Sequence, residues 1–196
     1  VTLATSATSI AENAGTSLTL TATLSVATTA DVTVALSTSG TATEGTDYTD
    51  GSGSIDDIVI SAGSTTGTVS FTPTDDSIYD ATSNETATIA ISSVSGGSAT
   101  ESGSQSVTIT ITDNESAPTV TLSRSAAAID ENSSSTVTIT ATLSNATYQD
   151  VTVSIGASGG TEGTDYATIS DITISAGSTT GTTSLDPTDD SVYEDD

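Results

Sequence analysis

The side chains of this sequence with chemistry to offer are its acids. Asp and Glu number 26 against one basic residue, a formal net charge of −25, and His and Cys are both absent. Without those two residues there is no thiolate site, no zinc or haem ligand set and no Ser-His or Cys-His pair. Carboxylates standing alone suit hard, oxygen-seeking cations, and flexible six- to eight-fold oxygen coordination is the habit of calcium. The same charge balance excludes nucleic acid, whose phosphates need basic partners, and disfavours anionic membrane surfaces. No apolar run is long enough to cross a membrane as a helix, so direct membrane insertion is not expected. The pair Asp75 and Asp76 has the form of an acid/base couple. A glycosidase would also need aromatic platforms, and five Tyr with one Phe are too few, so the chain is read as no enzyme.

The acids are positioned by a repeat. Val1-Thr2-Leu3 returns as Val120-Thr121-Leu122, and the alternating stretch from Leu18 to Leu24 returns from Val137 to Leu143, both at an offset of 119. Glu44-Gly45-Thr46-Asp47-Tyr48 returns at 162–166, an offset of 118, and Pro73-Thr74-Asp75-Asp76-Ser77 returns at 187–191, an offset of 114. Length is lost between the alternating segments, where loops tolerate deletion. The expected organisation is therefore a complete module over residues 1–115, a linker over 116–118 containing Pro118, and a second module over 119–196 without its last two strands.

Apolar residues alternate with Thr and Ser around Leu18/Leu20/Leu24, Val32/Val34/Leu36, Ile58/Ile60, Val69/Phe71, Ala87/Ile89/Ile91 and Val107/Ile109/Ile111. With the strand beginning at Val1 this predicts seven strands, here A to G, and an all-β, immunoglobulin-like antiparallel sandwich in each module. Threonine at the outward positions suits a pleated surface. If each connection crosses the sandwich, the A–B, C–D and E–F loops and the exit from G share one end. That end collects Glu12, then Glu44, Asp47 and Asp50, then Asp75, Asp76, Asp80 and Glu85, then Asp113 and Glu115. Such a tip would repel itself unless cations sit within it. Asp is also a turn former, and any one of these positions read singly is open to that account.

Taken together, Glu12-Asn13-Ala14-Gly15-Thr16, Gly45-Thr46-Asp47-Tyr48, Ile60-Ser61-Ala62-Gly63, Pro73-Thr74-Asp75-Asp76-Ser77, Asn84-Glu85-Thr86 and Ile111-Thr112-Asp113-Asn114-Glu115 resemble the Calx-beta domain. That family includes regulatory calcium-binding modules of sodium–calcium exchangers, tandem repeats of large bacterial surface proteins, and modules of integrin-type and matrix proteins. The resemblance implies Ca2+ as the bound ion. It implies Glu12, Asp47, Asp75, Asp76, Asp80, Glu85, Asp113 and Glu115 as ligands in the first module. In the second it implies Glu131, Asp165, Asp189, Asp190 and Glu194. Two departures, the longer stretch Asp80-Ala81-Thr82-Ser83 and Asn114 in the exit motif, imply fewer or weaker sites than a four-ion cluster.

These readings lead to an expected role: a calcium-binding structural repeat of a long extracellular or cell-surface bacterial adhesin or matrix protein. Its partners would be neighbouring modules of the same protein. Loop parity would set the acid-poor end of module two, near 145–149 and 176–179, against the acidic tip of module one, so that calcium stiffens the joint into a rod. One alternative is a protomer of an extracellular fibre, joined to other copies by strand complementation. The other is a calcium-sensing regulatory module.

Overall fold

The computed structural model describes residues 1–80 and 84–190, and every regular element among them is a strand. β-branched and apolar residues at every second position leave no 3.6-residue stripe for a helix to bury. Up to residue 115 the strands are β1 (Thr2–Thr5), β2 (Ser9–Ala11), β3 (Leu18–Thr23), β4 (Val32–Gly40), β5 (Tyr48–Thr49), β6 (Ile58–Ile60), β7 (Thr66–Pro73), β8 (Ile78–Tyr79), β9 (Asn84–Ser95) and β10 (Ser106–Thr112). The chain divides into two compact units, residues 1–76 with 84–114, and residues 77–80 with 115–190.

In the first unit two sheets face one another, ordered β1-β3-β7-β5 and β2-β10-β9-β4-β6. Leu20, Val32, Val34, Ile58, Ile60, Ile89 and Ile109 point into the space between them and are buried, closed at one end by Tyr48 stacked on Phe71 at 4.6 Å. The all-β sandwich expected from the alternation is the observed fold. Strand A differs in one respect. It is two segments in two sheets: β1 pairs antiparallel with β3, and β2 pairs parallel with β10. The crossing occurs at Ser6–Thr8, where the Thr5 hydroxyl donates to the carbonyl of Ala7 at 2.9 Å and the Ser6 hydroxyl accepts the N–H of Thr19 at 3.0 Å. At the end of β4, Gly40 has φ +130°, and a Cβ there would lie 2.0 Å from the carbonyl oxygen of Thr86. Only glycine lets the chain leave β4 so close to β9.

The second unit contains β11 (Val120–Arg124), β12 (Val137–Leu143), β13 (Ala146–Thr147), β14 (Val151–Val153), β15 (Ile172–Ile174) and β16 (Thr180–Leu185). They form the sheets β11-β12-β16 and β14-β15, while β13 pairs in parallel with β8. Its core is small: Ala141, Leu143, Ile172 and Ile174. Among the described residues nothing corresponds to β9 and β10, and the consequence is visible position by position. Leu3 is 7% exposed, whereas its counterpart Leu122 is 58% exposed.

Candidate metal centre

The switch of strand A between sheets builds the site. Ala11 stands beside Thr112 in the parallel β2–β10 ladder, and one residue on the N–H of Glu12 donates to the carbonyl of Thr112 at 3.1 Å. Ile10 and Ile111 are buried neighbours in that ladder. Side chains alternate along a strand, so Glu12 and Asp113 continue on the same side, past the end of the core. The N–H of Asn114 donates to Oε1 of Glu12 at 3.2 Å and fixes that carboxylate. The result is a group of three half-buried acids, Glu12, Asp113 and Glu115, each offering an oxygen within 4.8 Å of the others. Among the described residues it is the one such group. Two unit charges about 4 Å apart repel by roughly 4 kcal/mol at an effective dielectric of about 20. Three convergent carboxylates of this kind fit a hard divalent cation, which takes oxygen ligands and reverses the sign of that energy.

The remaining candidates fall at graded removes. Asp75 is exposed and lines one groove with Glu12, Thr16, Ser17 and Thr72. Glu85 is half-buried at the start of β9, paired with Ile111, so it lies two ladder positions inside Asp113. Asp80 is half-buried and Asp76 exposed. In the second unit Glu131, Asp189 and Asp190 are exposed. Glu194 lies outside the described residues.

Asp47 has a local role. Its Oδ2 accepts the N–H of Thr43 at 2.6 Å, and its carbonyl accepts the N–H of Thr74 at 2.9 Å. Asp165 repeats both bonds, to Thr161 at 2.5 Å and from Thr188 at 3.0 Å. Each therefore ties the C–D turn to the strand exit that leads into the paired Asp residues. Other acids expected at the tip also anchor local structure. Glu44 accepts from the Thr38 hydroxyl at 2.8 Å and the Ile55 N–H at 2.5 Å. Asp50 closes an Asx turn on Ser52 and Gly53, and these bonds, the Ser52 N–H first, hold its carboxyl below the usual aspartate range. Beside them burial pushes the Tyr48 phenol up, opposed by a hydrogen bond with Thr38 and reinforced by the charges of Glu44 and Asp47.

The Calx-beta domain description fits residues 1–115 and again residues 113–196. The chain belongs to the Calx-beta domain family. Two solved structures are similar to this Calx-beta chain: the crystal structure of CBD12 from CALX1.2, at 16% identity and a TM-score of 0.45 over 95% of this chain and 75% of that one, and that of the calcium binding domain CBD12 of CALX1.1, at 17% identity and 0.46 over 94% and 75%. No curated protein matches the chain. Sequence reasoning found all three acids of the cluster. It missed why they meet, since the sheet switch at Ser6–Thr8 carries no signal beyond a run of small residues. It also missed the use of the Asn114 N–H to hold Glu12, which any residue type would supply.

Proposed function

We propose that this Calx-beta chain is a calcium-binding structural repeat of a long extracellular bacterial surface or matrix protein. The observation that carries the calcium reading is the convergence of Glu12, Asp113 and Glu115. Asp75, Asp76, Asp80 and Glu85 are the further ligands of the first module, with Asp47 holding the turn beside them. In the second module the proposed ligands are Glu131, Asp165, Asp189, Asp190 and Glu194, the residues that the sequence repeat matches to Glu12, Asp47, Asp75, Asp76 and Asp80. The extracellular reading is supported by composition. Two near-copies of one module, hydroxyl-rich surfaces and a single basic residue suit a spacer in a medium where calcium is millimolar and weak sites suffice. In this reading calcium stiffens module tips and linkers into a rod with neighbouring modules as partners. Calorimetric titration of the chain with calcium tests it, and an absence of heat at millimolar calcium overturns it.

A further inference from the structure

Strand β8 belongs to the second unit, where it pairs in parallel with β13, Ile78 beside Ala146 and Tyr79 beside Thr147. The Tyr148 N–H donates to the Tyr79 carbonyl at 3.4 Å, and the two tyrosines line one pocket with Thr147 and Val151. Short as it is, this strand covers its acceptor: Ala146 is half-buried and Thr147 is 7% exposed.

The acceptor exists twice. Ala146 and Thr147 answer to Ala27 and Thr28 at the repeat offset of 119. Three bonds fix the acceptor in the second unit. The Gly177 N–H donates to the Thr147 carbonyl at 2.8 Å, the Thr147 hydroxyl to the Gln149 carbonyl at 2.6 Å, and the Ala176 N–H to Oδ1 of Asp150 at 2.9 Å. The first unit repeats all three: Gly63 N–H to the Thr28 carbonyl at 2.8 Å, Thr28 hydroxyl to the Ala30 carbonyl at 2.7 Å, and Ala62 N–H to Oδ1 of Asp31 at 2.8 Å. Ala27–Thr28 is thus held by the same bonds as the edge that takes a strand in the second unit. Among the described residues no strand pairs with it. Ala27 and Thr29 are exposed, and Thr28 is half-buried where Thr147 is buried. A fixed backbone edge without a ladder partner is a template for an added strand.

The donor exists twice as well. The run from Pro73 to Asp80 returns from Pro187 to Glu194, changed only by Val192 for Ile78 and Glu194 for Asp80. The β-branched position stays β-branched, the tyrosine is kept and the acid stays an acid. Residues 191–194 lie outside the described residues, and their part here follows from the repeat. The pairing already made within the chain therefore names the occupant of the open edge. We propose that Ala27–Thr28 binds residues 191–194 of a second copy of this chain, with Val192 beside Ala27 and Tyr193 beside Thr28. Donor and acceptor are different surfaces, so the contact is heterologous and copies join head to tail. Two ladder positions make a weak joint, and Thr29 in the place of Tyr148 thins it further. The joint is made by backbone and one ring, so it does not require calcium.

The test uses the full chain in chelator at physiological ionic strength, where repulsion between the acidic copies is screened beyond about 8 Å. Amide spectra and sedimentation are followed from micromolar to millimolar protein. The amide signals of Ala27–Thr29 should shift as concentration rises, and the mean mass should rise with them. Thr29→Pro removes the N–H matched to that of Tyr148, and Tyr193→Pro removes the ring and N–H of the donor, so each variant alone should stay monomeric. Mixed, the two should pair and go no further, because one keeps the donor and the other the acceptor. Thr29→Tyr copies Tyr148 and should tighten the association severalfold. If Thr29→Pro does not fold, Tyr193→Pro and Thr29→Tyr carry the test. A monomeric mass at every concentration in both the parent chain and Thr29→Tyr overturns the proposal. So does association that persists in a folded proline variant alone, or a mixture of the two folded variants that stays monomeric. The readout is taken without calcium, so its failure leaves the calcium reading untouched, and the reverse holds too.

Discussion

Glu12 and Asp113 meet because Ile10 and Ile111 do. The two isoleucines are buried partners in the parallel β2–β10 ladder, and each acid follows two residues later on the same side. Burial of the isoleucines therefore forces the carboxylates together whether or not an ion is present. The core holds the repelling carboxylates in place, and a cation bound between them would relieve that repulsion.

Calcium should raise the stability of the first unit. Binding to the folded state alone adds about 2.7 kcal/mol at a hundredfold excess over Kd. At about 4–8 °C per kcal/mol for a domain of this size, the melting temperature should rise by roughly 10–20 °C between chelator and saturating calcium. Magnesium should give much less, because it prefers a compact octahedral shell and keeps its waters. Scanning calorimetry in the three buffers checks both statements, and identical curves would remove the ion from the account.

Asp113→Asn should act with opposite signs in the two buffers. Without calcium it relieves repulsion at Glu12 and Glu115 and should stabilise the unit by about 0.5–1 kcal/mol, the scale of a partly exposed charge pair. With calcium it should lose most of the ion-induced increment. A variant that is destabilised in chelator would show that Asp113 is held there by hydrogen bonds and not by cation binding.

The sandwich was legible because a period of two survives in every long strand, from Leu18–Leu24 to Val107–Ile111. The switch of strand A was not, because Ser6-Ala7-Thr8 looks the same in a straight strand as in a crossing. Nor was the division of labour among the acids. Asp47 and Asp113 are both polar residues between strands, and only the Thr43 N–H lying 2.6 Å from Oδ2 marks the first as a turn anchor.

Asp47→Ala should therefore cost stability in chelator as well as in calcium. The lost bond is charge-assisted, and such bonds contribute about 1.5–3 kcal/mol. Urea unfolding in chelator measures it. A change confined to calcium-containing buffer would mean that Asp47 acts chiefly through the ion.

Alkaline pH should unfold the first unit through Tyr48. Its phenol is buried and its pKa raised above 10.0, burial being the main cause. The native state thus holds this proton more tightly than the unfolded chain does. The stability linked to it is complete below about pH 10 and falls as pH rises through the native value. Tyr48→Phe keeps the stack on Phe71 and removes the proton, so it should move the alkaline transition upward while costing some stability at neutral pH. Far-ultraviolet dichroism against pH checks the sign. A transition unmoved in the variant would assign alkaline unfolding to other groups.

Leu3→Ala and Leu122→Ala should differ sharply although the residues occupy one place in the repeat. Leu3 is 7% exposed, and deleting a buried leucine costs about 2–5 kcal/mol through lost transfer energy and the cavity left behind. Leu122 is 58% exposed, so most of its side chain already meets water, little apolar surface is re-exposed and no cavity forms. Its replacement should cost less than about 1 kcal/mol. Denaturant unfolding of the two variants at low protein concentration gives the comparison. A Leu122→Ala penalty that is small in dilute solution and grows with protein concentration would mean that a second copy covers the exposed side of β11. A large penalty independent of concentration would mean that the chain itself buries Leu122.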